Sequence, residues 1–361
     1  MTRRGVLMLG AGAAIVAAGA VAVVMTGETT RTEAALIGQP VFPGVAARLA
    51  EARTVEIRKA DATLSLTRAE DGTWGLADRG GFPVRADRVR ELFAGLGELR
   101  LIEERTGNPE LFSRLGLEDV TVAGGTSQLL TVKDGQGRVI AEAILGRRRI
   151  RTAGNLPEAI YIRRPGENRT FLAEGQLRTD TDPMLWVERE VLDIKRQRIA
   201  SATAHRAGED AVTVVRDTPA AEQATMADMP EGFRPDQGKI DDLPRALEWM
   251  TFNDVRPAAA VAAGTPTGEA RFASFDGLTL TLRIVTADDK RWALVSAGWE
   301  DKGPRSEGAP PEVRTPEEAR AEAEALTRRH APWAYQLVDW KTDILLLRRE
   351  DMQAPPPRDP S

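Results

Sequence analysis

The sequence predicts an α+β fold: two diverged repeat units of mostly antiparallel strands with packed helices, after one N-terminal transmembrane helix. Three observations carry this. Val55 and Ile57, then Leu64 and Leu66, alternate with polar residues, the period-two pattern of strands with one buried face. The order strand, strand, helix, strand, hairpin occurs after residue 53 and again, loosely, after residue 197. Ahead of both lies Gly5–Met25, uncharged throughout and preceded by Arg3 and Arg4.

At about 1.5 Å per residue, Gly5–Met25 is long enough for a hydrocarbon core of roughly 30 Å. Basic residues before it and Glu28 after it predict a single-pass signal anchor in a bacterial inner membrane. The N-terminus is then cytoplasmic and the bulk of the chain periplasmic. A cleaved signal peptide is the alternative, with Val6–Gly19 as its apolar region and Ala20-Val21-Ala22 as its cleavage site. Twin-arginine export is a third reading, because Thr2-Arg3-Arg4-Gly5-Val6-Leu7 loosely follows that pattern. Gly10, Ala14, Ala18 and Ala22 recur every fourth residue, a face on which a second membrane helix can pack closely.

The elements follow in order. Residues 1–27 are read as the anchor and 28–53 as a juxtamembrane spacer. Residues 54–197 form the first unit, 198–350 the second, and 351–361 a disordered Pro-rich tail. Asp71-Gly72 turns the first strand pair into the strand begun by Trp74 and Leu76. Val89, Leu92, Phe93, Leu96 and Leu99 make one apolar stripe, so a helix is expected over Ala86–Leu99, weakened at its end by Gly95 and Gly97. Strands are expected at Thr121–Val122, Leu129–Val132, Val139–Leu145, Ala159–Arg163 and Thr170–Leu172. In the second unit Ile199–His205 pairs with Ala211–Val215. A helix is expected over Ile240–Met250, followed by a hairpin of Leu278–Leu282 and Trp292–Val295 turning at Asp288-Asp289. Leu96-Gly97-Glu98-Leu99 and Leu247-Glu248-Trp249-Met250 occupy matching places in a duplication of period near 150 residues. Thr315 and Glu318 around Pro316 form a capping box, and Pro332 ends that helix. A strand Tyr335–Val338 and a short helix follow.

Composition bounds the chemistry. The 361 residues are 42% hydrophobic and 29% charged, as in a globular fold. A formal charge of −5 with interspersed signs gives no general affinity for nucleic acid. With no Cys, disulfides, thiolate metal sites and a lipid-modified cysteine anchor are all excluded. The absence of a Gly-Lys-Ser/Thr phosphate loop means the chain is not itself a transport motor.

No catalytic, cofactor or metal residue is assigned. His205 and His330 sit in different units, and His330 reads as a helix-end cation beside Arg328 and Arg329. Asp180-Thr181-Asp182 with Glu188 and Glu190 could supply the paired carboxylates of a hydrolase, yet Asp-Thr-Asp-Pro is better suited to capping a turn. Arg147, Arg148, Arg149 and Arg151 form a candidate patch for an anionic partner, with Arg163-Arg164 and Lys195–Arg198 as weaker ones. Solvated strand edges are the competing explanation for all three. The Trp residues beside apolar neighbours, Trp249 and Trp292, read as core; Trp299, Trp333 and Trp340 read as partly exposed.

Several short segments, in this order, resemble a known family. They are Asp71-Gly72-Thr73-Trp74, Val84-Arg85-Ala86-Asp87, Leu115-Gly116-Leu117, Ile144-Leu145-Gly146 and Ile160-Tyr161-Ile162-Arg163, then Tyr335-Gln336-Leu337 and Trp340-Lys341-Thr342-Asp343. Over roughly Phe42 to Met352 the chain is similar to the bacterial family called domain of unknown function 4340. The resemblance implies a membrane-anchored extracytoplasmic protein, often associated with gliding-motility-type ABC transporter components, and implies no catalytic residues. The expected function is therefore a non-enzymatic accessory subunit binding an ABC-type permease/ATPase or other envelope complex, without cofactor. A periplasmic module binding sugar, lipid or peptide in a groove between the two units is the alternative.

Overall fold

The computed structural model describes residues 36–149 and 158–355. The expected anchor, its Gly10/Ala14/Ala18/Ala22 face and Arg151 lie outside these residues. No helix among the described residues is long and apolar enough to cross a membrane. The fold is α+β, with two nine-stranded sheets in which the strands pair antiparallel. The chain divides into compact units on either side of Trp186/Val187.

The first unit begins with α1 (Val45–Arg48), β1 (Ala52–Arg58), β2 (Thr63–Arg68), β3 (Trp74–Leu76) and β4 (Phe82–Pro83). Helix α2 (Ala86–Glu98), β5 (Arg100–Glu104) and α3 (Phe112–Leu115) follow. Then come β6 (Gln128–Asp134), β7 (Val139–Arg149), β8 (Ala159–Arg163) and β9 (Thr170–Glu174). Their sheet order is β4-β3-β2-β1-β6-β7-β8-β9-β5. Val55, Ile57, Leu64 and Leu66 are buried as the alternation requires, with Val55 opposite Leu66. Gly72, at φ +88°, makes the turn ahead of β3, and the Asp71 carboxylate accepts the Thr73 N–H at 2.8 Å. Helix α2 buries Val89, Leu92 and Leu96 and sets Phe93 edge-on against Trp74 at 5.7 Å.

The second unit contains β10 (Glu190–Leu192), β11 (Ile199–Arg206), β12 (Val212–Val215), β13 (Thr225–Met226), α4 (Gln237–Asp242) and β14 (Met250–Pro257). It continues through β15 (Thr265–Ser274), β16 (Leu278–Ala287), β17 (Lys290–Trp299), α5 (Pro316–His330), β18 (Trp333–Leu337) and α6 (Asp339–Leu345). Its order is β10-β14-β18-β17-β16-β15-β11-β12-β13. In the reverse direction, β13-β12-β11-β15-β16-β17-β18-β14 repeats β3-β2-β1-β6-β7-β8-β9-β5 strand for strand. A helical segment precedes β5 and β14 alike, so the duplication is one of topology. Each unit adds one strand of its own, β4 or β10.

The α5 start is as expected: Thr315 accepts the Glu318 amide while Glu318 accepts the Thr315 amide. Asp288 and Asp289 both take positive φ, the geometry that joins β16 to β17 in a tight hairpin. Two expectations are corrected. Thr121–Val122 is an exposed turn rather than a strand, closed by the Glu118 carboxylate accepting the Thr126 amide. The helix expected over Ile240–Met250 stops at Asp242, because Pro244 supplies no N–H and its ring clashes with the preceding turn. Residues 243–249 are instead a run of turns leading into β14.

Candidate functional site

Of the three basic clusters, two are largely structural. Arg163 is buried, donates to the Leu117 carbonyl at 3.0 Å and the Asp119 carboxylate at 2.6 Å, and lies over the Phe112 ring. Gly146 meets the same loop: a Cβ there would sit 2.3 Å from the Leu115 carbonyl oxygen. Three segments that carried the family resemblance, Leu115–Leu117, Ile144–Gly146 and Ile160–Arg163, therefore converge on one packing point, with Phe112, Leu117 and Ile144 in contact. Arg198 is likewise buried, bonded to Asp276 at 2.7 Å and paired with Glu322 at 2.7 Å. Burial pushes the Asp276 carboxyl up, but bonds from Arg198, Ser274 and the Arg314 amide outweigh it and hold the group below its usual range. Asp276 forms part of the wall of a cavity of about 480 Å³ beneath the Lys302–Pro310 loop.

Arg147, Arg148 and Arg149 differ. All three are exposed at the end of β7, and none has an ion-pair partner among the described residues. Asp182 accepts the Met184 amide at 2.9 Å and starts a single helical turn, while Asp180 offers its backbone carbonyl to Trp186 Nε1. That is the capping role. His330, in contrast to its sequence reading, is not a helix-end cation. It is 1% exposed, with Nδ1 2.9 Å from the Tyr335 hydroxyl. Burial, followed by the charge of Arg329, lowers its pKa to about 4 and keeps the ring neutral. The described residues contain no cluster of three metal-ligating side chains.

The feature that sequence reasoning missed is Trp249. Instead of joining the core, it is 68% exposed and adopts φ +50°, an uncommon conformation for a bulky residue. Four neighbours hold it there. Asp193 accepts the Trp249 N–H at 3.1 Å, and the Glu248 carboxylate accepts the Arg196 amide at 2.7 Å. Lys195 donates to Asp193 at 2.8 Å and places its ammonium 4.0 Å from the centre of the Trp249 ring. Lys341, on α6 and only 4% exposed, donates to the carbonyls of Ala246 at 3.0 Å and Glu248 at 2.6 Å. The same ammonium lies 4.7 Å from the ring of Trp340, which is 58% exposed.

The electrostatics fit this frame. Burial pushes the Lys341 ammonium pKa down, while Glu248, Asp193 and Asp242 oppose the shift. Burial also pushes the Asp193 carboxyl up, but bonds from Lys195 and the Trp249 amide win, so it stays ionised well below its usual range. The result is two solvent-facing indoles fixed by buried or half-buried charges. Such rings offer a large apolar area at little conformational cost, as the anchors of protein interfaces do. The one sequence signal was Pro244, which breaks the helical period before Trp249 is reached.

No curated protein and no solved structure matches the chain. The family model "Domain of unknown function (DUF4340)" matches residues 74–268, from the start of β3 into β15, which takes in the Arg163 packing point and Trp249 but not Trp340. This span exceeds half of the sequence, and the chain belongs to the DUF4340 family.

Proposed function

We propose that this protein is a non-enzymatic, single-pass accessory subunit of the bacterial inner membrane, whose periplasmic region binds an ABC-type transporter or another envelope complex. The observation that carries the reading is the Trp249–Trp340 surface. A strained backbone and two exposed indoles are retained by Asp193, Lys195, Glu248 and Lys341, an arrangement that favours recognition over packing. Gly5–Met25 supports the membrane side of the reading, with Gly10, Ala14, Ala18 and Ala22 as the face that packs on partner helices.

Affinity purification from native membranes at native expression tests this. Permease and ATPase subunits co-purify with the wild type. Ala14→Leu with Ala18→Leu keeps the segment apolar and lowers their recovery by blocking close helix approach. Recovery of the chain alone contradicts the proposal.

The Asp276-walled cavity favours a second reading, a periplasmic ligand-binding module. A rise in melting temperature with an envelope sugar, lipid or peptide, abolished by substitutions in the Lys302–Pro310 loop, would select it.

A further inference from the structure

We infer that the Arg147–Arg149 end of β7 is a docking point for the anionic phospholipid surface of the membrane. The register of β7 on β8 slips by one residue between Leu145 and Arg148, a β-bulge at Gly146-Arg147. Beyond it β6 no longer pairs with β7, since their ladder ends at Gln128–Leu145. Side chains on both faces of the strand are therefore exposed, and three consecutive guanidinium groups face solvent. Glu158 and Glu174, the carboxylates closest in register, make no ion pair with them. Three Arg without an ion-pair partner among the described residues, on about 10 Å of strand, form a concentrated positive patch on a chain whose net charge is −5.

The patch is built, not frayed. A Cβ on Gly116 would lie 3.2 Å from Arg147 Cγ and 3.0 Å from Thr126 Oγ1, so Gly116, just ahead of the 117–126 loop, is close-packed between Arg147 and the far end of that loop. Residues 121–124 of that loop, Thr-Val-Ala-Gly, are exposed, and Val122 is among the exposed large apolar side chains. Guanidinium groups that bind phosphate, beside a small uncharged turn, suit a headgroup layer. An acidic protein surface would satisfy the charges, but the tether favours lipid. On the proposed anchoring, on which this inference rests, only residues 26–35 separate the apolar segment from the described part of the first unit. Ten residues reach at most about 35 Å, which keeps that unit at a high effective concentration beside the headgroups.

The absence of Cys makes a single-site probe possible. Full-length Val122→Cys, labelled with an environment-sensitive dye, is reconstituted into vesicles of zwitterionic lipid with or without phosphatidylglycerol. The dye shifts to the blue only with phosphatidylglycerol. The shift disappears in about 1 M salt, and in Arg147→Gln/Arg148→Gln/Arg149→Gln the docking equilibrium falls roughly a hundredfold. An unchanged melting temperature of the triple variant establishes that it is folded. Equal spectra in the two vesicle types, or a full shift in the triple variant, overturn the inference. So does a shift that requires added polyglutamate. If the chain does not float with zwitterionic vesicles, the anchoring reading fails. Co-sedimentation of the free chain with phosphatidylglycerol vesicles then decides the patch by the same Arg→Gln comparison.

Discussion

At the scale of single residues, Trp249 and His330 show how burial and charge divide the work in the second unit. A positive φ on a bulky residue costs on the order of 1 kcal/mol or more, and Trp249 recovers no core burial in return. Its neighbours over-determine the strained geometry, as Lys341 does by donating to the carbonyls of Ala246 and Glu248. In sequence, Trp249 sits between Leu247 and Met250, both buried, and these apolar neighbours are what suggests a core position for it. Pro244 ends the helix early, and in the turns of residues 243–249 Trp249 does not share the burial of its neighbours, so a core position does not follow from them. His330 misleads for a related reason. Next to Arg328 and Arg329 it looks like a dipole-matching cation, yet the last turn of α5 points it inward onto Tyr335. Its folded pKa of about 4 lies below the ordinary value of 6.5. Between those values the unfolded chain takes up a proton that the folded one refuses, so stability is full above pH 6.5 and declines as pH falls towards 4. Denaturant unfolding followed by intrinsic fluorescence should show a loss of up to about 3 kcal/mol across that window, absent in His330→Gln. Asp193 and Asp276, whose pKa values are lowered from 3.8, lose their contributions at more acidic pH, so the two effects separate.

Among the elements, those with strict periodicity were legible and those defined by partners were not. Ala86–Leu99 and the Thr315 capping box match α2 and α5 within a residue, because stripe and cap are local properties of the chain. Strand β15 escaped because Pro266 and Gly268 interrupt its alternation, and only its pairing with β11 and β16 makes it a strand. The two glycines near the end of α2 look alike in sequence and differ in space. A Cβ at Gly95 would lie 2.3 Å from the Gln176 carbonyl oxygen, whereas one at Gly97 meets only the Ala46 methyl at 3.9 Å. Gly95→Ala should therefore lower stability by about 1–3 kcal/mol despite the better helix propensity of Ala. Gly97→Ala should raise it by roughly 0.5–1 kcal/mol. Thermal unfolding of the two single variants checks both signs.

For the whole molecule, one topology is used twice and diverges at one informative place. Leu96–Leu99 ahead of β5 corresponds to Leu247–Met250 ahead of β14, which puts exposed Trp249 where the first unit carries Glu98 at the end of an ordinary helix. The duplicated order was visible in sequence because turns and apolar alternation recur about every 150 residues. The divergence was not, since an exposed aromatic and a buried one have the same letters. The first unit offers a complementary asymmetry, with its exposed arginines at a β7 bulge. On the proposed reading, partner recognition falls to the second unit and membrane contact to the first.

Trp249→Gly combined with Trp340→Ala is the most direct test, because Gly accepts the positive φ that Trp tolerates only under constraint. Affinity purification from native membranes should show partner recovery reduced at least about thirtyfold, as expected for the loss of an interface anchor. The melting temperature should be unchanged or higher. Undiminished recovery of permease and ATPase subunits by this variant would contradict the assignment of Trp249 and Trp340 to the partner interface.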